Sequence, residues 1–209
     1  MKADEQQTTS STALPVMEQF YTLQGEGAHQ GRAAYFIRLG GCDVECFWCD
    51  VKESWNAGAH PYIPIHQIVK EAASFPGRLA VITGGEPTLY DLTDLTAALK
   101  NAGFEINIET SGAHELTGSF DWVCLSPKKF KQPVPQVLKL ANELKIVVYN
   151  KSDFQWAKKY AALVAADCKL FLQPEWDQSD KMVPLIVDFI KENPQWRLSM
   201  QVHKYIGVP

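Results

Sequence analysis

Three of the five cysteines fall within eight positions, in the run Cys42-Asp43-Val44-Glu45-Cys46-Phe47-Trp48-Cys49. Three thiolates on one short loop can surround a single metal centre. A closed structural zinc site takes four protein ligands, and no fourth cysteine lies nearby. An iron–sulfur cubane held by three thiolates leaves one iron open to a small molecule, an arrangement for chemistry. Phe47 and Trp48, inside the loop, would shield such a cluster from water. The alternative is zinc, with His60 as the fourth ligand beside Cys42, Cys46 and Cys49. Cys124 and Cys168 stand apart in strand-like runs and read as small buried hydrophobes. An odd number of cysteines, three of them clustered, is not a secreted disulfide framework.

The other chemically unusual stretches each close a β-rich run. Gly40-Gly41-Cys42 follows residues 33–39, Gly84-Gly85-Glu86-Pro87 follows 79–83, and Glu109-Thr110-Ser111-Gly112 ends 104–109. Ser126-Pro127-Lys128 follows 122–125, and Gln173-Pro174 ends 169–173. Further strands are expected at 144–149 and 197–202. Helical spacing recurs between them, at 65–74, 92–101, 134–142, 154–165 and 183–192. Asp91 is an N-cap for the second of these, Gly103 its C-terminal stop, and Pro174 closes a strand. Runs 79–83 and 144–149 are mostly apolar throughout, as expected for parallel strands covered on both faces. Arg38 interrupts the apolar run Tyr35-Phe36-Ile37-Arg38-Leu39, either to grip a carboxylate bidentately or as a surface ion pair.

Repeated strand–helix units define an α/β protein with right-handed crossovers. A closed eight-unit barrel takes about 250 residues. This chain has 209 and spends the first stretch on a tail, a strand and the cysteine loop. About six parallel strand–helix units fit, so an incomplete, laterally open β/α barrel is expected, with an open doubly wound sheet as the alternative. In both, ligands bind at the C-terminal ends of the strands, where all these motifs fall.

Hydrophobic residues make up 46% of the chain, enough for one sizeable core. Lys plus Arg is 20 and Asp plus Glu is 24, a formal net charge of -4. That balance offers no bulk attraction to nucleic acid or an anionic membrane, and no apolar run approaches the ~20 residues of a membrane span. Residues 1–13, rich in Gln, Thr and Ser, lack the apolar stretch of a secretory signal. They are expected to be a disordered tail before a single domain at 14–209, in a cytoplasmic protein.

The cysteine spacing, with Trp48 before the last thiol and Gly84-Gly85-Glu86-Pro87 after the next strand, resembles the radical S-adenosylmethionine (SAM) superfamily. Leu23-Gln24-Gly25-Glu26-Gly27 near the start and His203-Lys204-Tyr205 near the end narrow the resemblance to the 7-carboxy-7-deazaguanine synthase family. Ile108-Glu109-Thr110-Ser111-Gly112, Leu125-Ser126-Pro127-Lys128 and Leu172-Gln173-Pro174 extend it over almost the whole chain after the tail. The resemblance implies a radical SAM partial barrel with a 4Fe–4S cluster on Cys42, Cys46 and Cys49. SAM contacts are implied at Trp48, Cys49, Asp50, Gly85, Ser126, Pro127 and Lys128, with Gln173, Glu109 and Ser111 toward adenine and ribose. The implied substrate is 6-carboxy-5,6,7,8-tetrahydropterin, held by Leu23, Gln24, Gly25, Glu26, Arg38, Thr83, His203 and the Pro209 carboxylate.

The implied reaction is a lyase step of queuosine and 7-deazapurine biosynthesis. A deoxyadenosyl radical takes hydrogen from C6 of the pterin, the ring contracts, and ammonia leaves. No side chain is assigned as acid or base. The implied partners are a flavodoxin- or ferredoxin-type reductant and a second copy in a homodimer. The family usually has threonine after Cys-Asp, where it contributes to a Mg2+ ion. Here Val51 stands in that place and cannot ligate. Either Asp50, water and substrate hold the ion, or Mg2+ is weaker or dispensable. Two rivals share the cysteine spacing: an activase that makes a glycyl radical on a partner enzyme, and a zinc-binding interaction module.

Overall fold

The computed structural model describes residues 12–209. Residues 1–11 of the expected tail lie outside the described residues, whereas Ala13 already opens the first strand. Strand β1 (Ala13–Leu23) runs antiparallel to β2 (Ala33–Leu39) on one side and to the short β3 (Tyr62–Pro64) on the other. Helix α1 (Ile65–Ala73) then crosses to β4 (Leu79–Gly84), and α2 (Thr93–Asn101) to β5 (Glu105–Thr110). A helix-free stretch leads to β6 (Trp122–Leu125), α3 (Pro135–Leu140) to β7 (Glu143–Val148), and α4 (Asp153–Ala161) to β8 (Lys169–Pro174). The last unit is α5 (Ser179–Glu192) and β9 (Trp196–Leu198), followed by α6 (Val202–Ile206).

Among the described residues these strands make one nine-stranded sheet, ordered β3-β1-β2-β4-β5-β6-β7-β8-β9. All neighbours from β2 through β9 are parallel. Because β3 and β9 stay unpaired edges, the sheet is an open, partial β/α barrel. Six crossovers join the parallel strands, as expected, and all but the one between β5 and β6 carry a helix.

Alternation along each strand splits the sheet into two chemically different faces. One residue in two packs under the helices: Tyr35, Ile37 and Leu39 on β2, Ile106 and Ile108 on β5, Leu144, Ile146 and Val148 on β7. Helix α1 meets them with Ile65, Ile68 and Ala72, spaced on one face, and α2 with Leu95 and Leu99. The other face looks into the barrel. Beside β1 it is apolar, with Ala34, Phe36, Leu79 and Val81 packed against Phe20. Farther round it carries Asn107, Glu109, Glu143, Lys145 and Gln173. The run 144–149 is covered on both faces, but the inward face of its strand is charged: Glu143 and Lys145 point into the barrel, 2% and 3% exposed.

Two boundary readings also change. Asp91 does accept the Thr93 N–H at 2.9 Å, but Leu92 is the N-cap residue. The run expected as a strand at 197–202 ends at Leu198, and Val202–Ile206 is helical. The Val202 N–H goes to the Gly25 carbonyl at 3.0 Å instead of extending the ladder.

Candidate active site

The strand ends converge on one cavity of about 260 Å3. Its floor is a pair of interlocked turns. Gly85 N–H donates to Leu39 O at 3.0 Å, and Glu86 N–H to Gly41 O at 2.8 Å, binding the turn after β4 to the turn after β2. Only glycine fits at the junction. Gly84 has φ +146, and a Cβ on Gly85 would lie 2.2 Å from Gly41 O and 2.9 Å from Cys42 Cβ. Beneath them Glu86, 1% exposed, accepts from Thr88 N–H and Oγ1, Thr110 Oγ1, and Ser111 N–H and Oγ. This carboxylate fastens the ends of β4 and β5 together. It also occupies the Ser111 hydroxyl proton, which the sequence reading aimed at ribose.

The thiol loop lies on that floor. Cys42, Cys46 and Cys49 are all free and all line the cavity. Val44, Cys46 and Ala113 form a small apolar cluster against Cys42, Trp48 and Cys49. Burial raises the Cys42 thiol and pushes Cys46 up to about 11, against the lowering pull of Lys128. Such thiols become thiolates only when cationic metal joins them, so this donor set fits an iron–sulfur cluster. It does not fit a single zinc ion. Among the described residues no three His, Cys, Asp or Glu converge on one metal position. His60 packs on Gly40 with its Nε2 2.8 Å from Glu53 O, away from the cavity wall. Cys124 and Cys168 are buried, and burial raises both thiols, Cys168 to about 12.

Lys128 is a half-buried cation on the cavity wall. Its Nζ donates to Ser126 Oγ at 2.6 Å and sits 5.5 Å from the Trp48 ring centre. Desolvation lowers its pKa, and among the described residues it has no carboxylate partner. An unpaired half-buried ammonium facing a cavity is a seat for an anionic group.

Opposite lies the loop after β1. Gln24 Nε2 donates to Glu109 Oε1 at 2.8 Å. Glu26 receives Lys145 Nζ on one oxygen and Gln201 Nε2 at 3.0 Å on the other. Burial alone would raise the Glu26 carboxyl, yet the Lys145 charge and these donors hold it at about 2. The chain end folds over this loop: a Cβ on Gly25 would strike His203 Nδ1 at 2.1 Å. Burial lowers the His203 pKa. Arg38 lines the cavity, and its Nε pairs with Glu18 Oε1 at 2.6 Å, the ion pair of the second reading.

Every residue implied for the cluster, SAM or substrate lines this cavity except Pro127, which faces a smaller neighbouring hollow beside Phe47 and Phe130. Sequence reasoning missed Lys145, Gln201 and Lys204. Asp50, the candidate Mg2+ ligand, is held by Lys204 Nζ at 2.9 Å, with Gln201 Nε2 at 3.5 Å. With Val51 apolar and the Asp50 carboxylate met by donors, these residues do not fit a protein-built divalent-cation site.

A parallel partial barrel with three free thiols after its first parallel strand is the architecture of the radical SAM superfamily, which matches residues 36–140. Relatives extend that likeness along the whole chain. The 7-carboxy-7-deazaguanine synthase of Flavobacterium psychrophilum is 54% identical over 94% of this chain and 93% of its own length. That of a Synechocystis strain is 46% identical over 95% of each. The crystal structure of QueE from Escherichia coli superposes with a TM-score of 0.82 at 34% identity, covering 91% of this chain and 95% of that one. The chain belongs to the 7-carboxy-7-deazaguanine synthase family, and membership of its superfamily implies a 4Fe–4S cluster and SAM.

Proposed function

We propose that this protein converts 6-carboxy-5,6,7,8-tetrahydropterin to 7-carboxy-7-deazaguanine with loss of ammonia. The observation that carries the reading is the single cavity joining a three-thiol loop, an unpaired half-buried ammonium and a carboxylate loop, in a chain akin to synthases over nearly its full length. When bound, the cluster and SAM supply one-electron chemistry that removes a hydrogen atom from the substrate. The protein's own residues do the rest by binding and placement. Cys42, Cys46 and Cys49 would hold the cluster, with Trp48 packed against the same loop. Lys128 receives the methionine carboxylate, and the Gly85 backbone admits the amino group. Gln173 and Glu109 take the adenosine side, with Ser126 and Pro127 shaping the wall.

On the far side, Leu23, Gln24, Gly25 and Glu26 meet the pyrimidinone edge, with Thr83, Arg38, His203 and Pro209 around the rest of the pterin. The ionised Glu26 suits ring N–H donors, and Arg38 suits the substrate carboxylate. Mg2+ has the least support, because Lys204 already neutralises Asp50; we read it as dispensable here. One open sheet spanning the described residues favours a single domain. An external one-electron donor of the flavodoxin or ferredoxin type follows from the chemistry. A homodimer rests on resemblance, and a cytoplasmic location is part of the same proposal; separately, no described helix is long and apolar enough to cross a membrane.

The test is an anaerobic incubation of cluster-reconstituted protein with SAM, a strong reductant and 6-carboxytetrahydropterin, read by mass spectrometry. Formation of 7-carboxy-7-deazaguanine, lost in Cys49→Ala, is expected. Deoxyadenosine without deazaguanine would overturn the substrate, and neither product from protein with an intact cluster would move the activase reading forward.

A further inference from the structure

Lys145 is an anomaly of this fold. It lies in the middle of β7, 3% exposed, on the barrel face, in a strand whose other face is wholly apolar. An isolated buried ammonium is costly, so a chain keeps one where carboxylates answer it. Its Nζ meets Glu26 Oε2 directly and lies 3.6 Å from Glu109 Oε2. Glu143 and Cys124 are the nearest other titratable groups, and the Lys128 charge faces it across the cavity. The two carboxylates belong to different regions: Glu26 to the loop after β1, Glu109 to the end of β5. Gln24 closes the triangle by donating to Glu109.

The same strand grips that loop a second time. Glu143, two residues earlier and on the same face, accepts the Ala28 N–H at 3.0 Å and the Trp122 Nε1–H at 3.1 Å. A loop of backbone turns is thereby bolted to a rigid central strand through side chains alone.

We infer that Lys145 is a positioning residue that, through Glu26 and Glu109, fixes the distance between substrate and SAM. The inference rests on the proposed reading of those two carboxylates as substrate and adenosine contacts. A hydrogen atom moves between them only over a short gap, so a loosened Glu26 loop lets the radical form without reaching its target. The signature is uncoupling: SAM is still cleaved, but less of it is turned into product.

The experiment compares wild type, Lys145→Met, Lys145→Arg, Glu26→Gln and the double variant Lys145→Met with Glu26→Gln, each with iron and sulfide measured. Deoxyadenosine and 7-carboxy-7-deazaguanine are counted together, and KM is taken for SAM and for pterin. Lys145→Met is expected to lower product per deoxyadenosine at least tenfold and raise the pterin KM at least tenfold, with cluster content kept. Lys145→Arg, which retains the charge, is expected to restore much of the ratio. Should Lys145→Met fail to fold for want of a counter-ion, the double variant removes both charges. Its loss is expected to match that of Glu26→Gln alone instead of multiplying with it. A wild-type ratio in Lys145→Met, or multiplying losses in the pair, overturns the inference while wild-type product leaves the reading standing. Wild type that makes no deazaguanine overturns the reading and the inference with it.

Discussion

Replacing Gly85 with alanine adds one methyl group, and its effect can be worked out from the turn it would enter. The new Cβ would lie 2.2 Å from Gly41 O, where an ordinary contact begins at 3.4 Å. The neighbour is backbone, and that oxygen already accepts the Glu86 N–H at 2.8 Å, so no flexible side chain can swing aside. The turns after β2 and β4 must separate by about 1 Å. Overpacking of this kind costs up to about 3 kcal/mol. For a chain of this size that lowers Tm by roughly 6 to 12 °C. The functional cost is larger, because Cys42 follows Gly41 and moves with it. A displacement of about 1 Å at reacting groups costs on the order of 100-fold in rate.

Gly103→Ala is the control. Gly103 has φ +80 and open space around it, so only backbone strain of about 1–2 kcal/mol is added, far from the thiols. Thermal melts, iron and sulfide content and deoxyadenosine formation are to be measured on both. Gly85→Ala is expected to lose Tm, cluster and rate, and Gly103→Ala only a few degrees of Tm. If Gly85→Ala keeps wild-type melting and cluster content, the turns are not locked and the packing argument is wrong.

Three further outcomes follow from the same geometry. Lys128→Met is expected to weaken SAM binding by 100-fold or more, the cost of leaving a carboxylate without its cationic partner; equilibrium dialysis checks it, with pterin binding unchanged. Glu86→Gln turns an amide N–H2 toward hydroxyl or backbone donors that now find an acceptor, and should cost about 3 kcal/mol in denaturant unfolding; a Ser111→Ala change in that background should add little. Turnover is expected to persist in a chelator of divalent cations, with no bound Mn2+ seen by electron paramagnetic resonance. Lys204→Met, which frees Asp50, should let Mn2+ bind, and tight binding to the wild type would refute the displacement of the ion by Lys204.

The parallel frame was legible because its helix-facing residues, such as Ile106 and Ile108 or Leu144 and Ile146, alternate cleanly and are bounded by glycine-rich turns. The thiols were legible from their spacing, and the opposing motifs from their places at strand ends and from resemblance. β1 was not, since Pro15 and the polar pair Glu18 and Gln19 break up its apolar run, and its pairing with β2 is set by register across a long hairpin. Lys145 could have been caught by the reasoning applied to Arg38, a charge in an apolar run; the run's strong hydrophobicity hid it. Gln201 gave no local signal, and the His203-Lys204-Tyr205 motif gave none of the contact Lys204 makes. Their partners Glu26 and Asp50 are brought beside them only when the chain end turns back at Val202.

The two-faced sheet has a consequence for how such a protein changes over generations. Adjacent positions on one strand answer to different selective demands: Ile146 keeps the helices on, while Lys145 beside it arranges reactants. Changes confined to the barrel side therefore leave most of the burial that holds the fold untouched. A library randomising only the cavity-lining Thr83 and Val147 should yield mostly folded proteins with altered substrate preference, whereas the same diversity at the neighbouring Ile82 and Ile146 should yield mostly insoluble ones.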